Sequence, residues 1–316
     1  MRVFVVGGAG FIGSHLVDQL ISRGDSVTVF DNFSVGREEF LAKSMPTGRV
    51  TIVKGDALDL EALTKAAAGH DAIFHLAANP EARWGLERTR LDLEQGTIAT
   101  YNALEAARLA KVGRFMFASS GTVYGPTDKQ CAEGELGALP ISLYGASKIA
   151  GEALVSSYVE CFGLHASICR FGNVVGGRAT HGAILDFCKK LLVTPAELQV
   201  LGDGTQSKPY LHVEDCAGGL IHVLDNAKEP LGIYNLAPPD WTSVKRIAEL
   251  VVAASPNKDA KIVYGTSDRG WPGDVPKSLI NPEKLAGLGF RVRFSSDDAV
   301  KAAVAQVATQ IFGPSA

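Results

Sequence analysis

The 316-residue chain is 46% hydrophobic and 21% charged, with a formal net charge of −3. That length and composition suffice for a sizeable core, in one large domain or two closely packed ones. Both signs of charge are interspersed, which leaves no basic footprint for nucleic acid, and no apolar run approaches the ~20 residues that span a bilayer. Five scattered cysteines without a CxxC spacing read as reduced and mostly structural, as in a cytoplasmic protein, and seven histidines far apart offer no metal constellation.

Arg2 to Val6 reads as a buried strand, so MRVFVV is expected to open the fold and not to act as a secretion signal. GGAGFIG follows at 7–13, and Gly7, Gly10 and Gly13 turn the chain into a helix running to about Arg23. These glycines have distinct jobs: a tight turn, room for a pyrophosphate against the backbone, and close packing of helix on strand. The helix N-terminus offers free N–H groups and a positive dipole end to the phosphates. Ser26 to Phe30 is a second strand, closed by Asp31, 18 residues beyond Gly13. A carboxylate there hydrogen-bonds the adenosine ribose and repels a 2′-phosphate, which predicts NAD over NADP. Arg37 is open to two readings, a charge that accommodates a phosphate or a solvated loop residue.

A third strand, Val50 to Lys54, leads to Gly55-Asp56-Ala57, where Asp56 either reaches the adenine edge or opens a turn. A fourth, Ala72 to Leu76, ends in HLAA. The small Ala77 and Ala78 let the backbone pass close to a cofactor, His75 reads as a packed strand-end histidine, and Asn79 and Arg83 lie on the loop beyond. After a helix over Leu91 to Leu109 comes the strand Phe115 to Ala118, ending in Ser119 and Ser120. Tyr144 and Lys148, four apart on a helix that stops near Gly163, share one face. A phenol with a reference pKa of ~10 is a poor base at neutral pH, and a fixed ammonium nearby favours its ionised form. Ser120 at the strand mouth is placed to relay that proton. The arrangement suits taking a proton from an alcohol while another group takes its hydride. A Tyr–Lys pair alone is common on solvated helix faces; the dinucleotide fingerprint upstream is what gives this one weight.

Alternating strands and helices predict parallel βαβ units and a doubly wound Rossmann sheet in an α/β fold. Beyond Ala166 to Arg170 the alternation weakens, and polar loops separate shorter helices near Val244 to Ala254 and Asp297 to Ile311. The last carries Val300, Val304, Val307 and Ile311 on one face. The expected organisation is a Rossmann domain over 1–172, with 208–236 returning to it, and a smaller α/β substrate lobe over 173–207 and 237–316.

GGAGFIG, DNFSVG, GDALD, HLAA, SSGTVYG, YGASK, RFGN, YLHVEDCA and GWPGDV occur in order along the chain. Together they resemble the extended short-chain dehydrogenase/reductases, specifically the NAD-dependent epimerase/dehydratase family, over nearly the whole length. The resemblance is closest to its UDP-sugar 4-epimerases. It implies contacts to NAD from Gly7, Gly10, Phe11, Ile12, Gly13, Asp31, Asn32, Ser34, Gly36, Asp56, Ala57, Leu76, Ala77, Ala78, Tyr144 and Lys148. It implies catalysis by Tyr144, Lys148, Ser120 and Thr122, through a transient 4-keto sugar, without net redox. Around the nucleotide sugar it implies Arg83, Ser120, Gly121, Thr122, Asn173, Lys208 and Asp274. Trp271 stands where an arginine is usual, so the phosphate charge is assigned to Arg269, and the small Ser278 predicts room for a 2-acetamido group. The expected substrates are UDP-glucose and UDP-galactose, with the N-acetylhexosamine pair as well.

Related dehydratases carry an Asp-Glu pair where this chain has Gly121 and Thr122, which favours epimerisation. A uronic acid is disfavoured by Thr180, although Arg83 and Arg178 keep that reading open. A non-catalytic NAD-binding regulator is the remaining alternative. The resemblance also implies a homodimer formed through the helices of Leu91–Leu109 and Tyr144–Phe162.

Overall fold

The computed structural model describes residues 1–135 and 139–313; the last three residues of the expected C-terminal lobe lie outside the described residues. Strands β1 (Arg2–Val6), β2 (Ser26–Asp31), β3 (Val50–Lys54), β4 (Ala72–His75), β5 (Arg114–Ser120) and β6 (His165–Phe171) alternate with helices. The helices between them are α1 (Phe11–Arg23), α2 (Leu60–Ala67), α3 (Ala99–Leu109) and α4 (Leu143–Phe162). Together with a later strand at Leu231–Leu236 these strands form one parallel sheet, whose order from that strand is β6, β5, β4, β1, β2, β3.

The period-two alternation of strand side chains loads both faces of this sheet. Val3, Val5, Val27 and Val29 pack under Leu16, Val17 and Leu20 of α1 on one face. Phe4, Ile73, Phe115 and Phe117 pack under Leu104 and Ala107 of α3 and Val155 of α4 on the other. Crossovers of this kind leave all strand C-termini at one edge, where the loops carry the chemistry.

The second lobe contains β7 (Asn173–Val175), α5 (Ala183–Val193), β8 (Glu197–Val200), β9 (Ser207–Lys208) and β10 (Tyr210–His212). Next come α6 (Val213–Asn226), the sheet strand β11 (Leu231–Leu236), β12 (Thr242–Ser243), α7 (Val244–Ala254), β13 (Lys261–Tyr264), α8 (Glu283–Gly287) and α9 (Ser296–Phe312). The segment 208–236 divides between the lobes. β10 pairs with β7 and β9 with β12, outside the main sheet, whereas α6 packs on α1 and β11 pairs with β6. The lobe's own core joins Ile184, Phe187 and Leu191 of α5 to Ile247 and Val251 of α7 and to Val300, Val304 and Val307 of α9.

The helix expected over Leu91 to Leu109 begins at Leu91 as expected, but a π-helical turn interrupts it. Leu93–Ile98 is a π-helical turn that leads into α3. This wider turn brings Gly96 against Ser147 of α4, where any Cβ would collide with the serine hydroxyl. Such π turns concentrate at functional sites, and this one delivers Gln95 to the cofactor cleft described below.

His75, at the end of β4, is buried and stacked on Phe117 with ring centroids 6.0 Å apart. The Thr100 hydroxyl donates to the Gly96 carbonyl, so His75 Nε2–H donates to Thr100 Oγ1 at 3.1 Å and Nδ1 is left without a partner. Burial, aided by the Lys148 charge, lowers its pKa to about 3. The unfolded chain, with a reference pKa of ~6.5, therefore binds the extra proton first, and stability falls as pH drops from there towards 3. His75→Leu is expected to flatten the acid limb, removing up to ~1.4 kcal/mol per pH unit. Urea midpoints of both proteins at several pH values between 4 and 7 measure this; parallel slopes would refute it.

Candidate active site

Two cavities meet at the C-terminal edge of the main sheet, and Phe11, Ile12, Ser119, Tyr144, Phe171 and His181 line both. The first runs along β1, β2 and α1. All residues expected against the cofactor line it except Asp56. Asp56, half-buried, accepts from Asn32 Nδ2 at 3.1 Å and from the Leu58 amide at 2.9 Å.

The cleft fits a dinucleotide. Gly7 has φ +82°, and a Cβ there would lie 2.7 Å from the Ala77 nitrogen; one at Gly13 would collide with the Gly7 carbonyl. α1 begins at Gly10 with no side-chain cap, so its first amides face the cleft unpaired by any side chain. Asp31 is buried and held by the Ala9 amide at 2.9 Å and the Phe33 amide at 2.8 Å, which presents its carboxylate at the cleft wall.

At the junction, Lys148 Nζ donates to the Ala118 carbonyl at 2.8 Å and lies 5.6 Å from the centre of the Tyr144 ring. Ser120 Oγ accepts from Thr122 twice, from its amide at 3.2 Å and from its hydroxyl at 3.0 Å. With its lone pairs so engaged, the Ser120 proton is free to be given to an oxygen in the cavity. Thr122 thus orients the Ser120 hydroxyl.

The expected lowering of the Tyr144 pKa by Lys148 is not the dominant effect here. Burial pushes the phenol up to about 12, against the pull of the Ser120 hydroxyl and with a further push from the Asp92 carboxylate. Burial likewise brings the Lys148 ammonium down to about 8, against the attraction of Asp92 and Glu152. With its pKa so raised, the phenol is neutral at neutral pH.

The second cavity reaches from Ser120, Thr122 and Tyr144 into the second lobe, and Arg83, Asn173, Lys208 and Asp274 line it as expected. Gly121, Arg269 and Ser278 do not. Gly121 packs under Ile280, where a Cβ would collide with that side chain. Arg269 is half-buried on its loop with its amide on Ser267, and Trp271, two residues on, lines the cavity instead. The Ser278 amide donates to the Ser207 carbonyl at 3.3 Å, and Ser278 does not line the cavity. Arg178 forms an ion pair with Asp18 at 2.8 Å and lines neither cavity.

Among the described residues, the carboxylates of the second cavity are Glu81, Asp186 and Asp274, and each already has a cation. They pair with Arg83, Lys190 and Lys208 respectively. Gln95, Asn79, His181 and Gln206 also line the cavities, and the sequence reading assigned none of them a role; Thr180, read there only against a uronic acid, lines the cofactor cleft. They sit on the π turn and on irregular loops, where no periodicity marks a direction.

The family model for the NAD dependent epimerase/dehydratase family matches residues 3–237. This chain belongs to that family. A crystal structure of a UDP-galactose 4-epimerase superposes with a TM-score of 0.87 at 36% identity, covering 98% of this chain and 100% of the other. An uncharacterised UDP-glucose epimerase of Bacillus subtilis is 32% identical over 90% of this chain and 92% of its own. A dTDP-glucose 4,6-dehydratase of Actinoplanes is 30% identical over 96% and 97%. The family thus carries more than one reaction on this scaffold, and NAD is its cofactor.

Proposed function

We propose that this family member is a 4-epimerase of UDP-sugars, with UDP-glucose and UDP-galactose as its principal pair. The observation that carries the reading is the junction itself: Tyr144 and Ser120 face the substrate cavity where it meets the cofactor cleft, with Lys148 behind them, and every carboxylate that lines this cavity among the described residues is paired with a cation. Removing water from a sugar requires an acid and a base besides the group that handles the O4 proton. A side chain at position 121 would have to displace Ile280, and the chain has glycine there.

In this mechanism Tyr144 takes the proton from the sugar O4, with the Ser120 hydroxyl bridging the two oxygens. When bound, NAD supplies the acceptor for the C4 hydride, its return to the opposite face, and a positive charge beside the phenol. Lys148 adds its ammonium to that field and fixes the ribose end of the cleft, and Tyr144 then returns the proton to O4 of the inverted sugar. No second substrate is consumed. A neutral sugar also suits the cations, because Arg178 is turned to Asp18 and Arg83 is held by both oxygens of Glu81.

Exposed Tyr101 and Leu109 on α3 and Phe162 on α4 support a homodimer through these helices. The enzymatic test is product analysis without added NAD, on UDP-linked glucose, galactose, N-acetylglucosamine and glucuronate. Interconversion of the glucose and galactose forms with no net cofactor change is expected. A 4-keto-6-deoxy product, or turnover of the uronate alone, would replace this reading.

A further inference from the structure

At its second-lobe end the substrate cavity is walled by Phe187, Leu201, Tyr210, Val244 and Val307, and it contains one buried amide. Gln206 is 2% exposed, and neither Nε2 nor Oε1 has a hydrogen-bond partner. Its main chain is fixed, because the Gln206 carbonyl accepts from the Val244 amide at 2.8 Å at the start of α7. The amide lies against Gly202, where a Cβ would collide with Nε2, so the turn of Gly202 to Gly204 holds the side chain along the cavity wall. Leaving both ends of a buried amide unpaired is costly, about 1–3 kcal/mol for each group.

We propose that Gln206 reads the nucleobase, its amide oxygen and nitrogen meeting the N3–H and an adjacent carbonyl of uracil. This deepens the UDP-sugar reading above and rests on it. The chemistry is complementary: a flat ring with an imide edge needs apolar faces around it and one donor–acceptor pair in its plane. The catalytic groups lie at the other lobe's end of the same cavity, and Lys208 and Asn173 line the stretch between them for the diphosphate.

The test is titration calorimetry of the NAD-loaded protein with UDP and with N3-methyl-UDP, for the wild type and for Gln206→Leu. The wild type is expected to bind UDP about 10-fold or more tightly than the methylated nucleotide, and the variant to lose UDP affinity by about 10-fold or more. The variant should also discriminate little between the two ligands, which a merely structural glutamine would not produce. If Gln206→Leu fails to fold, Gln206→Met, unbranched and of the same length, takes its place. Unchanged UDP affinity in a folded variant overturns the assignment and leaves the functional reading intact. A wild type that binds NAD but no UDP overturns both.

Discussion

Tyr144→Phe is expected to lower the turnover number by about 10³-fold while NAD remains bound. The substitution removes a single oxygen at the junction of the two cavities and leaves the ring packing unchanged. Without it, Ser120 has no partner to receive the O4 proton, and its own hydroxyl is too weak a base to replace a phenolate. Single-turnover measurement of cofactor reduction, followed by its absorbance, separates the loss of chemistry from a loss of binding. A variant that retains a tenth or more of wild-type turnover would remove Tyr144 from the mechanism. Lys148→Met should also slow the reaction, most strongly below about pH 8, where the ammonium is present. The reason is the sign of the field: burial pushes the phenol up to about 12, and the Lys148 ammonium, 5.6 Å from the ring centre, is a positive charge that favours the ionised form.

The largest loss of stability is expected from Arg170→Met. Arg170, at the end of β6, meets both oxygens of Glu152 on α4, at 2.9 and 2.6 Å, and both side chains are less than a tenth exposed. The same guanidinium donates to the Tyr124 hydroxyl, and Glu152 accepts from Ser119, which lines both cavities. Removing Arg170 alone strands a buried carboxylate and costs about 3–5 kcal/mol. Replacing both, as Glu152→Leu with Arg170→Met, should recover much of that, because no uncompensated charge remains. Denaturant midpoints of the two single variants and the double variant measure the difference. A double variant no more stable than Arg170→Met would show that the pair is not what holds β6 to α4. In the fold, this pair links β6, the neighbour of the strand that ends in Ser119 and Ser120, to the helix that carries Tyr144.

Much of the first lobe was legible because its chemistry is local. The glycine turn at 7–13, Asp31 at the end of its strand and the four-residue spacing of Tyr144 and Lys148 each follow from backbone geometry over a few residues. β1, α1, β2 and α7 lie where periodicity placed them. The second lobe was less legible. Its strands are only two to four residues long, and β7, β9 and β12 take their partners from segments far away in the chain. No short-range pattern encodes such pairings.

Substrate-facing side chains divide in the same way. Ser120 and Thr122 face the cavity because they follow directly from β5, whereas Arg178 and Arg269 carry charge in the right part of the sequence but point elsewhere. Arg178 turns to Asp18, 160 positions earlier. Thus the sequence alone determined the cofactor fold and brought together the trio proposed to react, since a strand end and one helix turn suffice to aim them. Only the tertiary structure decided which cations remain near the substrate, that burial outweighs Lys148 at the phenol, and that Gln206 faces the cavity unpaired. Those properties depend on desolvation and on partners brought together from both lobes, and neither can be read from spacing along one chain.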